Sequence, residues 1–205
     1  MTQSLFDQTG SRKYLVALER LAFVRAACAE NNRIAAFCIV LAVTGARLSE
    51  VLALTPERID MANEAIVFRT LKQRDKIIFR AVPIPRHLIE MVCRVQPLDS
   101  DSGRLWSWGR TTAWTHVKRV MKSAGIANAL CKPKALRHGF AINAGQNGVS
   151  LNVIQRWLGH ARLETTAIYA EALGHEERVL AQRTWRGINQ VLADRLLPSL
   201  GGRRI

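Results

Sequence analysis

The sequence lacks most of what marks a secreted, membrane-spanning or metal-dependent protein. No apolar stretch approaches the ~20 residues that a bilayer-crossing helix needs. The longest runs from Ile34 to about Val43, ends at Thr44-Gly45 and reads as a buried core helix. The opening MTQSLFDQTGSRK is polar, without the apolar core of a secretory signal. Cys28, Cys38, Cys93 and Cys131 form no C-x-x-C pair and have no histidine at zinc-ligand spacing. They read as buried free thiols of a reducing compartment, which places the chain in the cytoplasm. With no glycine-rich phosphate loop and no acidic metal cluster, no cofactor and no metal are expected. Tyrosine is scarce: Tyr14 and Tyr169 are the only two.

Acidic residues are also few. Sixteen Asp and Glu face thirty Lys and Arg, a net charge of +14. An excess of this size points to a polyanionic partner, nucleic acid first and an acidic membrane surface second. The 205 residues are 48% hydrophobic, enough for a packed core, and no repeat or Gly/Ser/Pro-rich linker divides them. One domain is expected.

Helical periodicity dominates. It predicts helices over 14–28, from Asn31-Asn32 to Val43, over 47–54, and over 86–95, 112–123, 134–147, 150–158, 163–170 and 176–196. The period changes once. Segments 65–69 and 77–83 are β-branched and aromatic, and the polar stretch between them carries Lys72, Arg74 and Lys76. This reads as an antiparallel hairpin with a basic turn. The expected fold class is mainly α with a small antiparallel β-sheet. Trp106, Trp108 and Trp114 could be core or DNA-facing, and the core is the expectation.

Three clusters have chemical potential. Arg47 follows a helix break, where backbone N–H groups and a guanidinium converge on a place for a phosphate. Alone, it reads more simply as a surface partner of Glu50. Lys134, Arg137 and His138 stand at i, i+3 and i+4, on one face of a helix that starts at Pro133. Such a face needs an anion, or is simply solvated. Gly159 reads as a helix C-terminus with His160 just beyond it, and Tyr169 follows in Thr165-Thr166-Ala167-Ile168-Tyr169. Singly, that histidine and that tyrosine read as packing residues.

In order, the blocks Thr-Gly-x-Arg-x-x-Glu, basic hairpin, Leu-Arg-His, Leu-Gly-His and Thr-Thr-x-x-Tyr resemble the catalytic domain of the tyrosine recombinases, the phage integrase family, over residues 12–196. The resemblance implies DNA cutting and rejoining through a 3′-phosphotyrosyl intermediate, with Tyr169 as nucleophile. Arg47 and Arg137 would clamp the scissile phosphate, and His160 would hydrogen-bond to it. The hairpin lysine, Lys72 with Lys76 as fallback, would protonate the leaving 5′-oxygen. Glu50 would buttress the arginine helix, and His138 would be the usual neighbour of Arg137. Neighbouring cations are expected to favour the Tyr169 phenolate.

Lys134 departs from the pattern, because most members have a histidine there. Either it supplies only positive charge, or catalysis is slower, or the chain binds DNA without cutting it. A type IB topoisomerase-like relaxing enzyme is a further alternative. The resemblance divides the chain into a tail over 1–11, the catalytic domain over 12–197 and a tail over 198–205, with no separate N-terminal core-binding domain. The implied partners are double-stranded DNA, further copies of the chain (a dimer per site, a tetramer at synapsis) and possible accessory DNA-binding proteins, with no membrane. The amphipathic segment 176–197 would dock in trans.

Overall fold

The computed structural model describes residues 4–70, 78–95, 103–170, 182–185, 187, 188, 191 and 192. At its centre runs helix α2, Asn32–Thr44. The Asn31 carboxamide oxygen caps it by accepting the Ile34 N–H at 3.0 Å. Ten of its 13 residues are buried, so it is apolar around nearly its whole circumference, as a central helix must be. It ends at Gly45 in the left-handed region (φ 61°), whose N–H returns to the Leu41 carbonyl.

Around α2 pack α1 (Ala17–Cys28), the short α3 (Leu48–Leu52), α4 (Arg86–Cys93), α5 (Arg110–Ser123) and α6 (Pro133–Gln146). Beyond α6 lie α7 (Leu151–Leu158) and the single turn α8 (Glu164–Ala167). The sheet has three antiparallel strands in chain order: β1 (Ile59–Asp60), β2 (Ala65–Thr70) and β3 (Ile78–Pro83). The architecture is the expected one, mainly α with a small antiparallel sheet. Strand β1 is an addition, because two residues are too few to set an alternating pattern.

Several boundaries moved for identifiable reasons. Helix α1 starts at Ala17, later than expected, because the Leu15 N–H is engaged by the Ala135 carbonyl and the Glu19 carboxylate accepts the Val16 N–H. The expected helix over 163–170 shortens to α8, which leaves Tyr169 in a following turn with its N–H on the Thr166 carbonyl. The hairpin turn with Lys72 and Lys76, and most of segment 176–197, lie outside the described residues.

Two apolar clusters meet along α6. One surrounds α2, with Phe23, Phe37, Leu41, Ile66, Trp106 and Leu136. The other gathers Leu5, Phe140, Ile154, Leu158, Ile168 and Tyr169. Arg137 and His138 sit on α6 where the clusters adjoin. Trp106 is a core residue, and its indole N–H donates to the Arg33 carbonyl. Trp108 is half-buried against Phe37, whereas Trp114 is 37% exposed, so the core expectation fails for it. The thiol expectation is also corrected: all four cysteines are free, but Cys28 and Cys93 are exposed. Among the described residues no helix is long and apolar enough to cross a membrane.

Gly45 tolerates no side chain. A Cβ there would lie 2.5 Å from Phe140 Cδ1 and add left-handed strain. Gly148, at φ 80° with open space around it, isolates the strain alone. Thermal unfolding should show a loss of about 1 kcal/mol for Gly148→Ala. Gly45→Ala should lose that plus an overpacking cost of about 1–3 kcal/mol. Equal losses would place the constraint in the backbone and not in the contact with Phe140.

Candidate active site

Arg47 is the N-terminal flanking residue of α3, and its own backbone N–H donates to the Glu50 carboxylate at 2.8 Å. The guanidinium folds back to the same carboxylate, also at 2.8 Å, and remains partly exposed to the cleft. Glu50 is fully buried, so it is not the surface partner of the simplest sequence reading. Its second partner is Arg80 on β3, whose Nη2 donates to it at 2.7 Å. Burial pushes the Glu50 carboxyl up, but hydrogen bonds and charge from Arg80 and Arg47 hold it below the usual range.

Arg80 carries no role in the sequence reading. Strand alternation supplies the missed signal: counting back from Val82 by two puts Arg80 on the inward face, opposite Phe68. Besides Glu50, its Nε donates to the Trp157 carbonyl at 2.7 Å.

Arg137 is held by two helix ends. Its Nη1 donates to the Gly45 carbonyl beyond α2 and its Nη2 to the Leu158 carbonyl at the end of α7, each at 2.8 Å. Both ends are closed by left-handed glycines, Gly45 and Gly159, and both present the negative pole of a helix dipole. Burial, with Arg47 nearby, pushes the Arg137 pKa down to about 10, so it stays a cation at neutral pH.

Tyr169 is only 5% exposed. Its hydroxyl lies 3.0 Å from Nδ1 of buried His138, and its ring stacks with that of His160. Burial pushes the phenol up to about 12, against the pull of Arg137 and Arg47. Arg137 and Arg47 do pull toward the phenolate as expected, but desolvation outweighs them at rest. Burial, then Lys134 and Arg137, push His138 down to about 4, so its imidazole is neutral. Burial, then Arg137 and Arg47, push His160 down to about 3, and its Nδ1 lies 2.9 Å from Thr166 Oγ1.

Arg47, Lys134, Arg137, His138, His160 and Tyr169 line one open cleft of about 820 Å³. Five of the six sequence-derived candidates are thus brought together. The sixth, Lys72, and its fallback Lys76 lie outside the described residues. The cleft also takes in Arg110, Lys132 and Arg162, none of them singled out in the sequence, and Trp114, expected in the core. Arg110, Trp114, Lys118 and Lys122 recur every fourth residue along α5, with the Lys118 ammonium 4.8 Å from the Trp114 ring centre. Among the described residues none of Arg110, Lys118, Lys122, Lys132 and Lys134 is paired with a carboxylate. Nor does any group of three or more His, Cys, Asp or Glu come together to hold a metal ion. The cleft suits an anion.

Comparison with known proteins identifies the family and the fold. The pattern of the phage integrase family matches residues 16–176. A tyrosine recombinase XerA from Thermococcus onnurineus is 33% identical over 143 residues, covering 65% of this chain and 49% of that protein. A crystal structure of XerA recombinase superposes with a TM-score of 0.69 at 28% identity, over 84% of this chain and 65% of the other. A post-cleavage complex of the XerH site-specific recombinase with palindromic difH substrate shares the fold, with a TM-score of 0.73 at 21% identity, over 89% and 57% of the two chains. The chain spans about half the length of the curated relatives it matches.

The Glu50 pair has a measurable consequence. Glu50→Gln leaves Arg80 buried without its counter-charge and should cost about 3–5 kcal/mol in urea unfolding near neutrality. Because the folded carboxyl lies below its ordinary value of 4.5, its contribution is complete above that pH and is lost as pH falls from there through the lower folded value. The gap between wild type and variant should narrow on acidification. A gap independent of pH would refute the ionised-carboxylate account.

Proposed function

The chain belongs to the phage integrase family, and on that premise we propose that it is a site-specific DNA recombinase whose catalytic unit spans residues 12–197. It breaks and rejoins double-stranded DNA through a 3′-phosphotyrosyl link to Tyr169. One observation carries the reading. Arg47, Arg137, His160 and Tyr169 come from four separate segments and line one anion-suited cleft.

The chemistry follows from charge. Attack on a phosphodiester gathers negative charge on the non-bridging oxygens, and guanidiniums already in place stabilise it without reorganising. Arg47 and Arg137 are so placed, one held by Glu50 and the other by two helix ends. The Tyr169 oxygen bonds to phosphorus as the P–O5′ bond breaks. The phenol proton must leave during attack, since burial keeps the resting hydroxyl protonated. Lys134, as an ammonium, has no lone pair to accept it and contributes charge instead. The neutral imidazole already at the hydroxyl is His138, which is in place to take the proton and later return it. The leaving 5′-oxygen takes its proton from the hairpin lysine, Lys72 or Lys76. The ester bond is conserved in the phosphotyrosine, so attack by a 5′-hydroxyl reverses the step.

The duplex runs along the α5 stripe, which leads out of the cleft through Trp114 to Lys118 and Lys122. Assembly is a dimer on each site and a tetramer at synapsis, with segment 176–197 docking in trans and accessory DNA-binding proteins assisting. The protein works on cytoplasmic DNA.

Two measurements test this. Nicked suicide duplexes tiled across the DNA flanking the gene should yield a covalent, detergent-resistant adduct that disappears in Tyr169→Phe. Binding to such a duplex without any adduct would leave a DNA-binding homologue. Separately, Lys118→Gln with Lys122→Gln should lower the slope of log affinity against log salt by about 2 on a mixed-sequence duplex, near 0.9 per lost phosphate contact. An unchanged slope would remove α5 from the interface.

A further inference from the structure

We propose that Thr166 is a positioning residue: its hydroxyl donates to Nδ1 of His160, holds that ring in the Nε2–H tautomer and so makes it a hydrogen-bond donor to the bound phosphate. The inference deepens the recombinase reading and rests on it for the identity of the anion.

The backbone of His160 is fixed before its ring is considered. Gly159 turns the chain out of α7 in the left-handed conformation, the His160 N–H donates to the Gln155 carbonyl at 3.1 Å, and the Gln155 side-chain amide donates back to the His160 carbonyl at 3.2 Å. The ring then lies nearly parallel to that of Tyr169, with an interplanar angle of 15°. Only one freedom remains, the nitrogen that carries the proton.

Burial and the surrounding guanidiniums keep the ring neutral at physiological pH. A neutral imidazole donates from one nitrogen and accepts at the other, so its value to an anion depends on which nitrogen holds the hydrogen. Thr166 is fully buried, and among the described residues its hydroxyl has the His160 contact alone, at 2.9 Å. A buried hydroxyl hydrogen without an acceptor is costly. Donation to Nδ1 satisfies it and leaves the hydrogen on Nε2, which has no hydrogen-bond partner among the described residues on a ring that lines the cleft. In the opposite arrangement Nδ1–H donates to the threonine oxygen. That strands the hydroxyl hydrogen and turns the Nε2 lone pair toward an anion, so both groups lose at once. A neutral donor also adds no further positive charge beside Arg47 and Arg137.

Thr165 and Thr166 are adjacent in the chain, yet only Thr166 reaches the ring. The single turn of α8 places it there, with its N–H on the Leu163 carbonyl at 2.7 Å.

The test has two arms. Nitrogen-15 NMR of the histidine rings in the full chain reads the tautomer without DNA. The Nε2–H form of His160 is expected in wild type and in Thr166→Ser, and a mixture with the Nδ1–H form in Thr166→Val. In single-turnover cleavage of a suicide duplex, Thr166→Val should form adduct about 10- to 100-fold more slowly, less than the roughly 10²–10³ lost when an oxyanion donor is removed outright, because part of the ring population still carries the Nε2 hydrogen. Thr166→Ser should restore most of the rate. In a His160→Gln background Thr166→Val should add little, because the residue acts through the ring. A wild-type Nδ1–H ring, or a folded Thr166→Val protein with unchanged tautomer and rate, overturns the proposal. Absence of any adduct from wild type would instead strike the recombinase reading and leave the tautomer measurement standing by itself.

Discussion

One buried carboxylate holds together a site that would otherwise repel itself. Glu50 receives Arg80 from the sheet and Arg47 from its own helix, while Arg137 approaches the same wall from α6. Three guanidiniums at close quarters are tolerable because the first two share this anion and the third rests on helix carbonyls. The carboxylate must be ionised to serve, and burial opposes that. Arg80 and Arg47 resolve the conflict together, since their hydrogen bonds and charge outweigh the desolvation. The sheet therefore has a role beyond carrying a basic turn: its inward face supplies the cation that helps keep Glu50 ionised, and Glu50 in turn holds Arg47 at the cleft.

Arg137 shows a second way to fix a cation. Among the described residues no carboxylate pairs with it. Two helices end against it, and their terminal carbonyls accept from both of its terminal nitrogens. A carboxylate would neutralise the guanidinium and compete with an incoming anion. Carbonyls orient it and leave its full charge for the ligand. The left-handed glycines at both helix ends are part of this device, because they end α2 and α7 where the carbonyls can reach. Gly159 also leaves room for Arg80, which a Cβ would approach to 3.0 Å.

The tyrosine is guarded by burial and not armed by charge. Cations surround it, yet desolvation prevails and the hydroxyl rests as a neutral phenol against a neutral histidine. In the proposed chemistry this suits an enzyme that must not react before its phosphate is seated. Reactivity waits for the anion that the guanidiniums collect. In that proposal His138, already at the hydroxyl, takes the part of proton acceptor.

Local physics in the sequence determined a good deal. The apolar run from Ile34, the left-handed Gly45 and the alternating strands were legible because period and turn chemistry act over a few residues. The charge excess named a polyanion, and five short blocks in order named Arg47, Lys134, Arg137, His160 and Tyr169 together with their family. Only the tertiary structure decided what these groups do to one another. Arg80 was overlooked because Phe79 beside it looks like the inward residue, and the strand's facing is set by packing against Phe68 and Glu50. Arg110 and Lys132 were missed, and Trp114 was assigned to the core, because a surface helix and a loop join the cleft only after α5 and α6 pack. The net upward shift of Tyr169 was out of reach for the same reason. Charge can be counted along a chain, but desolvation exists only once the chain has closed around the group.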